Sequence, residues 1–147
     1  MRSLSERLKK RRRSQAGFTL VELLVVLVIL GLLLGIVGPR AIDFLSRAKG
    51  DVAKIQIQNF GAALDLYRLD VGTYPTTEQG LTALMKAPGG AARWNGPYLK
   101  GEAAPLDPWN KPYVYERPGP GGKPYLILSL GADGQKGGSG DDADVSN

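Results

Sequence analysis

The chain contains neither cysteine nor histidine. Without cysteine, no disulfide can staple a small domain and no thiol can carry a lipid anchor. Without histidine, imidazole-based catalysis and most zinc sites are excluded. Charge is missing from one long interval, residues 23–39, where no Asp, Glu, Lys or Arg occurs. Residues 18–37 are about 20 in number, the length a helix needs to cross a bilayer core of about 30 Å. A single acid, Glu22, stands near the start of this run. A carboxylate inside a membrane costs roughly 2.5–3.5 kcal/mol on insertion scales. Glu22 is therefore a candidate functional residue, and its position implies a partner.

The net charge of +5 is concentrated at one end. Residues 1–17 carry Arg2, Arg7, Lys9, Lys10, Arg11, Arg12 and Arg13 against Glu6, a balance of +6, which leaves −1 for the rest. A near-neutral body with a basic tip excludes a nucleic-acid binder. Basic residues beside an apolar run instead follow the positive-inside pattern, with the N-terminus cytoplasmic and the C-terminal part translocated. A cleaved secretory signal fits less well. The run is long for such a signal, no small-residue cleavage site follows it, and Pro39 stands where the cut would fall.

Within the apolar run, Gly31 and Gly35 lie one helical turn apart, a spacing that lets another helix approach closely. Small residues are also common in membrane helices generally. Gly38-Pro39 predicts a kink or a site of local melting, because proline cannot donate to the carbonyl of Gly35. Beyond it, Ala41, Phe44/Leu45, Ala48, Val52, Ile55, Phe60, Ala63 and Tyr67 recur mostly every three or four residues, with charged residues between them. This predicts an amphipathic helix to about Asp70, ended at Val71-Gly72. The whole helix would measure roughly 80 Å at 1.5 Å per residue.

Thr76 or Thr77 is the expected cap of a short helix reaching Met85 or Lys86. Residues 91–111 read as loop with room for one short strand, with Asp107-Pro108-Trp109-Asn110 as a turn and Trp94 and Trp109 as packing anchors. Residues 113–116 and 125–130 predict a hairpin. Residues 131–145 hold four aspartates and five glycines. Composition alone allows an acidic disordered tail or a loop wrapping calcium, which takes carboxylate and carbonyl oxygens. A small head without disulfides favours a metal as supplement.

Gly17-Phe18-Thr19-Leu20-Val21-Glu22 ahead of an apolar helix resembles the class III signal of type IV pilins and pseudopilins. Leu66-Tyr67-Arg68-Leu69-Asp70, Tyr74-Pro75-Thr76-Thr77-Glu78-Gln79-Gly80-Leu81, Asp107-Pro108-Trp109 and Ser129-Leu130-Gly131-Ala132-Asp133-Gly134 resemble the major pseudopilins of bacterial type II secretion systems. The resemblance covers nearly the whole chain after the leader. It implies an α+β, type IV pilin-like fold. A long N-terminal helix, apolar stem plus amphipathic half, would pack on a small head with a short antiparallel sheet and a calcium loop. The implied division is a leader at 1–17, a transmembrane or filament-core helix at 18–38, an amphipathic helix at 39–72, and a periplasmic head at 73–147 with its calcium loop at 130–145.

The resemblance also implies roles. A prepilin peptidase would cut between Gly17 and Phe18 and methylate the Phe18 amine. Glu22 would serve assembly, with Pro39 as the family's helix breaker; Gly31 and Gly35 join them as candidate assembly residues. Calcium would be held by side chains of Asp133 and of two among Asp141, Asp142 and Asp144, with carbonyls near Leu130 and Gln135. The expected function is a structural subunit, not an enzyme. It would polymerise from the inner membrane into a periplasmic pseudopilus that helps drive folded proteins across the outer membrane. Expected partners are further copies of the chain, minor pseudopilins, the peptidase, the inner-membrane assembly platform and, before assembly, lipid. The rival readings are a subunit of another type IV pilus-like filament and a monomeric membrane-anchored calcium-binding module.

Overall fold

A computed structural model describes residues 17–147. The basic leader, apart from Gly17, lies outside the described residues. One helix, α1 (Leu20–Val71), dominates the chain. It begins two residues later than expected because Thr19 caps it. The Glu22 N–H donates to Thr19 Oγ1 at 3.2 Å, and the Leu23 N–H donates to the Thr19 carbonyl at 3.1 Å. These bonds satisfy donors that a helix start otherwise leaves open. Helical structure continues through Gly38 and Pro39. The loss of one backbone bond at proline does not unwind the turn, since bonds on either side persist.

Backbone contacts divide the chain into a unit ending at Gly38 and a second unit, Pro39–Asn147. In the first, every residue from Gly17 to Val37 is exposed. The second has a hydrophobic core. From α1 it takes Ala53, Ile57, Phe60, Ala63, Leu64 and Tyr67. This corrects the expected stripe in its first part. Val52 and Ile55 are 56% and 58% exposed, and Phe44 and Leu45 are also exposed. Apolar residues occupy two sides of this half of the helix, so spacing alone cannot say which side faces the head. Packing of the head selects the Ala53–Ile57 side, and the other stays bare.

The Gly72 N–H closes the end of α1 on the Arg68 carbonyl at 2.8 Å. The expected cap at Thr76 is present as a reciprocal pair. The Gln79 N–H donates to Thr76 Oγ1 at 3.3 Å, and the Thr76 N–H donates to Gln79 Oε1 at 2.9 Å. The helix it was expected to start is instead a turn and one 3-10 segment, Leu81–Leu84. Gly80, at φ 58°, breaks the helical run. Leu81, Ala83 and Leu84 are nonetheless buried in the core.

The predicted hairpin forms from β1 (Val114–Glu116) and β2 (Leu126–Ser129), with Tyr115 opposite Ile127. Both of these side chains are buried. A third strand, β3 (Val145–Ser146), pairs with the other edge of β2, placing Val145 opposite Ser129. The residue pattern there predicts only loop.

Tyrosines lace the head to α1. The Tyr74 hydroxyl donates to Asp65 at 2.8 Å and that of Tyr98 to Asp70 at 2.8 Å. Tyr115 donates to the Pro75 carbonyl at 2.9 Å. Trp94 acts as the expected anchor, its indole N–H donating to the Ala83 carbonyl at 2.8 Å. Tyr113 stacks edge-on against Phe60, with ring centroids 5.1 Å apart. Its buried hydroxyl has no hydrogen-bond partner among the described residues.

Burial pushes the hydroxyls of Tyr113 and Tyr115 up to about 12, from the ordinary 10.0. The folded state then binds these protons more tightly than the unfolded state. The stability they contribute is intact below pH 10 and is lost as pH rises through about 12. Denaturation midpoints should hold steady up to pH 10 and fall above it. Tyr113→Phe should match or exceed the wild type in neutral stability, since it removes an unsatisfied hydroxyl. It should also soften the alkaline fall. A loss of stability in this variant at neutral pH would show that the hydroxyl has a partner after all.

Candidate functional site

Two regions carry the sequence-predicted site residues, one in each unit. In the first, Gly17, Phe18 and Thr19 precede α1, and Glu22 sits in its first turn. All four are exposed. The Thr19 cap fixes the first turn and holds the Glu22 backbone within it. Gly31 and Gly35 lie on open surface, with nothing within 4 Å of where a Cβ would stand. Nothing in the described chain requires glycine there.

The second region is the loop after β2. The Gly134 N–H donates to the Leu130 carbonyl at 3.1 Å, and the Ala132 N–H donates to the Asp141 carbonyl at 2.9 Å. The second bond closes the loop and brings the Asp133 segment beside the Asp141 segment. A Cβ on Gly131 or Gly138 would collide with the Asp142 backbone, at 2.7 and 2.5 Å. Glycine is the residue that permits so close an approach. Asp133 Oδ1 accepts from the Gln135 N–H at 2.9 Å, and Asp144 Oδ2 accepts from the Gly137 N–H at 2.9 Å. Asp141 Oδ1 accepts from the Trp109 indole at 2.9 Å, and Asp141 Oδ2 lies 3.8 Å from Lys49 Nζ on α1. The Trp109 bond, with help from Ser46, Lys49 and Lys111, holds the Asp141 carboxyl below the usual carboxylate range.

Trp109 is thus more than the packing anchor the sequence suggested, because it bonds a candidate ligand. Asp107 places it. This carboxylate is 3% exposed. Its Oδ1 accepts from the backbone N–H groups of Trp109 at 3.0 Å and Lys111 at 2.8 Å, and its Oδ2 accepts from the Ser129 hydroxyl at 2.6 Å. The turn is thereby tied to the end of β2, and Trp109 and Lys111 are presented to the loop. Asp107 read only as a turn former in the sequence. Its burial depends on Ser129, a contact 22 residues away.

The loop's donors, four carboxylates and backbone carbonyls, have the hard-oxygen chemistry that suits calcium. Their present arrangement does not gather them: among the described residues, no three acidic side chains stand together as a metal site.

An exposed apolar helix with an N-terminal Gly-Phe motif, carrying a tyrosine-laced antiparallel head, is the design of a type IV pilin-like subunit. The prokaryotic N-terminal methylation motif matches residues 12–38. The family model for type II secretion system (T2SS) protein G matches residues 40–147. The chain belongs to the type II secretion system protein G family, the major pseudopilins, which are structural and not enzymatic. A type II secretion system core protein G of Pseudomonas aeruginosa is 50% identical over 140 residues, covering 92% of this chain and 96% of the relative. One from Vibrio cholerae is 43% identical over 141 residues, covering 94% of each. The crystal structure of the major pseudopilin from the type 2 secretion system of enterohaemorrhagic Escherichia coli aligns with a TM-score of 0.56 at 33% identity. That alignment covers 69% of this chain and 87% of the other.

Proposed function

We propose that this chain is cut between Gly17 and Phe18, held in the inner membrane by residues 18–38 with its head in the periplasm, and extracted from there into a pseudopilus. The observation that carries the reading is the exposed apolar turn bearing Glu22 four residues after Phe18. Cleavage creates a cationic amine at Phe18. Glu22 of one subunit pairs with the Phe18 amine of its neighbour, which offsets the burial of each charge and sets axial register. The bare faces around Gly31 and Gly35 admit neighbouring stems. Unwinding near Pro39 lengthens the stem during growth. Minor pseudopilins and the assembly platform complete the machine that moves folded proteins across the outer membrane.

Intact mass of the protein from its native membranes tests the first step. The expected mass is that of residues 18–147 plus one methyl group. A full-length mass, or a cut beyond Val37, would overturn the processing.

The loop's oxygen donors support calcium as its ligand, held by Asp133, by two of Asp141, Asp142 and Asp144, and by carbonyls near Leu130 and Gln135. Calcium would supply a divalent charge that fixes the loop for contacts between heads. Chelation should lower the melting temperature of the purified protein by several degrees, and calcium should restore it. A melting curve indifferent to both would remove calcium from the account.

A further inference from the structure

Lys111 directs its ammonium into the same loop. Its Nζ donates to the Gly131 carbonyl at 3.0 Å and also to the Ala132 carbonyl. Consecutive carbonyls point to opposite sides in an extended chain. Here residues 131–134 form a turn and not an extended strand, and both carbonyls reach one cation. The lysine stem is packed as well: a Cβ on Gly134 would stand 3.3 Å from Lys111 Cε and 3.4 Å from Cδ. The backbone of Lys111 is clamped at both polar groups. Its N–H donates to the buried Asp107 carboxylate at 2.8 Å, and its carbonyl accepts from the Asp107 N–H at 2.8 Å. A lysine loses much rotamer freedom when held. This one starts from a fixed point, crosses a glycine and ends on two acceptors, so little further ordering is needed.

We propose that Lys111 is an internal cation that holds the loop closed when no calcium is bound. Its two carbonyls lie between Leu130 and Asp133, both expected calcium ligands, so it occupies the middle of the same backbone segment without using either. An ammonium on carbonyl oxygens is a charge-assisted bond, stronger than one between neutral groups. The closing bonds from Ala132 to Asp141 and from Gly134 to Leu130 then persist without metal. Calcium adds to a loop already formed. The calcium half of this proposal rests on the reading given above; the lysine half does not.

Amide hydrogen exchange on the full-length chain in detergent, with EDTA or with excess calcium, separates the two. In EDTA, Lys111→Met should exchange the Ala132 and Gly134 amides at least about tenfold faster than the wild type, with the β1–β2 amides unchanged. Lys111→Arg keeps a cation and should stay close to the wild type. Calcium should return Lys111→Met to wild-type protection. Equal exchange of Lys111→Met and wild type in EDTA would overturn the proposal, and so would uniform acceleration that includes β1 and β2. Fast exchange in Lys111→Met that calcium fails to slow would uphold the lysine brace and remove the calcium reading.

Discussion

Cells whose only copy carries Glu22→Ala should make no filaments, while the leader is still removed from every precursor. On the proposed processing the peptidase reads Gly17 and Phe18, and the variant leaves both in place. Assembly is what it alters. In the proposed filament, a stem packed among others leaves the Phe18 amine no water to solvate it. Removing one partner of a buried ion pair costs about 3–5 kcal/mol, because the remaining charge is left uncompensated. That is a factor of at least about 100 in the affinity of each addition, and it recurs at each step of growth. Sheared fractions probed for the protein, alongside the mass of the membrane pool, give the readout. Normal filaments from a correctly processed Glu22→Ala chain would sink the pairing of Glu22 with the amine.

Asp107→Ala should strongly destabilise the head. It removes the acceptor for two backbone N–H groups and for the Ser129 hydroxyl, all beside a carboxylate that is 3% exposed. Each unsatisfied buried group costs about 1–3 kcal/mol, and the costs do not add fully. A loss of about 3 kcal/mol is expected, which corresponds to a melting temperature lower by roughly 12 °C or more for a head of this size. Asp107→Asn keeps an acceptor oxygen and the shape, so it should lose less. Thermal melts of the two variants decide the matter. An Asp107→Ala chain that melts within a degree or two of the wild type would show that the turn holds without its carboxylate.

The parts legible in the sequence are those fixed by local pattern. The long helix follows from the uncharged run and the periodic residues after it. The hairpin follows from β-rich segments around Pro and Gly. The Thr76 cap and the stop at Gly72 follow from residue type. What was not legible depends on contacts distant in sequence. β3 is two residues long and lies in an Asp- and Gly-rich stretch; pairing with Ser129 and Leu128, not propensity, makes it a strand. The stripe on α1 was misphased because Val52 and Ile55 are as apolar as Ile57, and only the head distinguishes them. Of the loop, the acidic composition was visible, but the contributions of Lys49, Trp109 and Lys111 were not. A lysine and a tryptophan in a turn carry no local sign that they will meet residues 131–141.

The bare stem has a thermodynamic consequence. From Gly17 to Val37 no residue is buried by the described part of the chain. On the proposed pathway this surface passes from lipid to neighbouring stems and never meets water. The heat-capacity change that marks apolar burial from water is therefore nearly absent from this step, and packing the stems gains no hydrophobic free energy. Growth and return to the membrane lie close to balance as far as the stem is concerned. Direction is then set by smaller terms, the Glu22 pair and the contacts between heads, and a modest input of work can drive the filament either way.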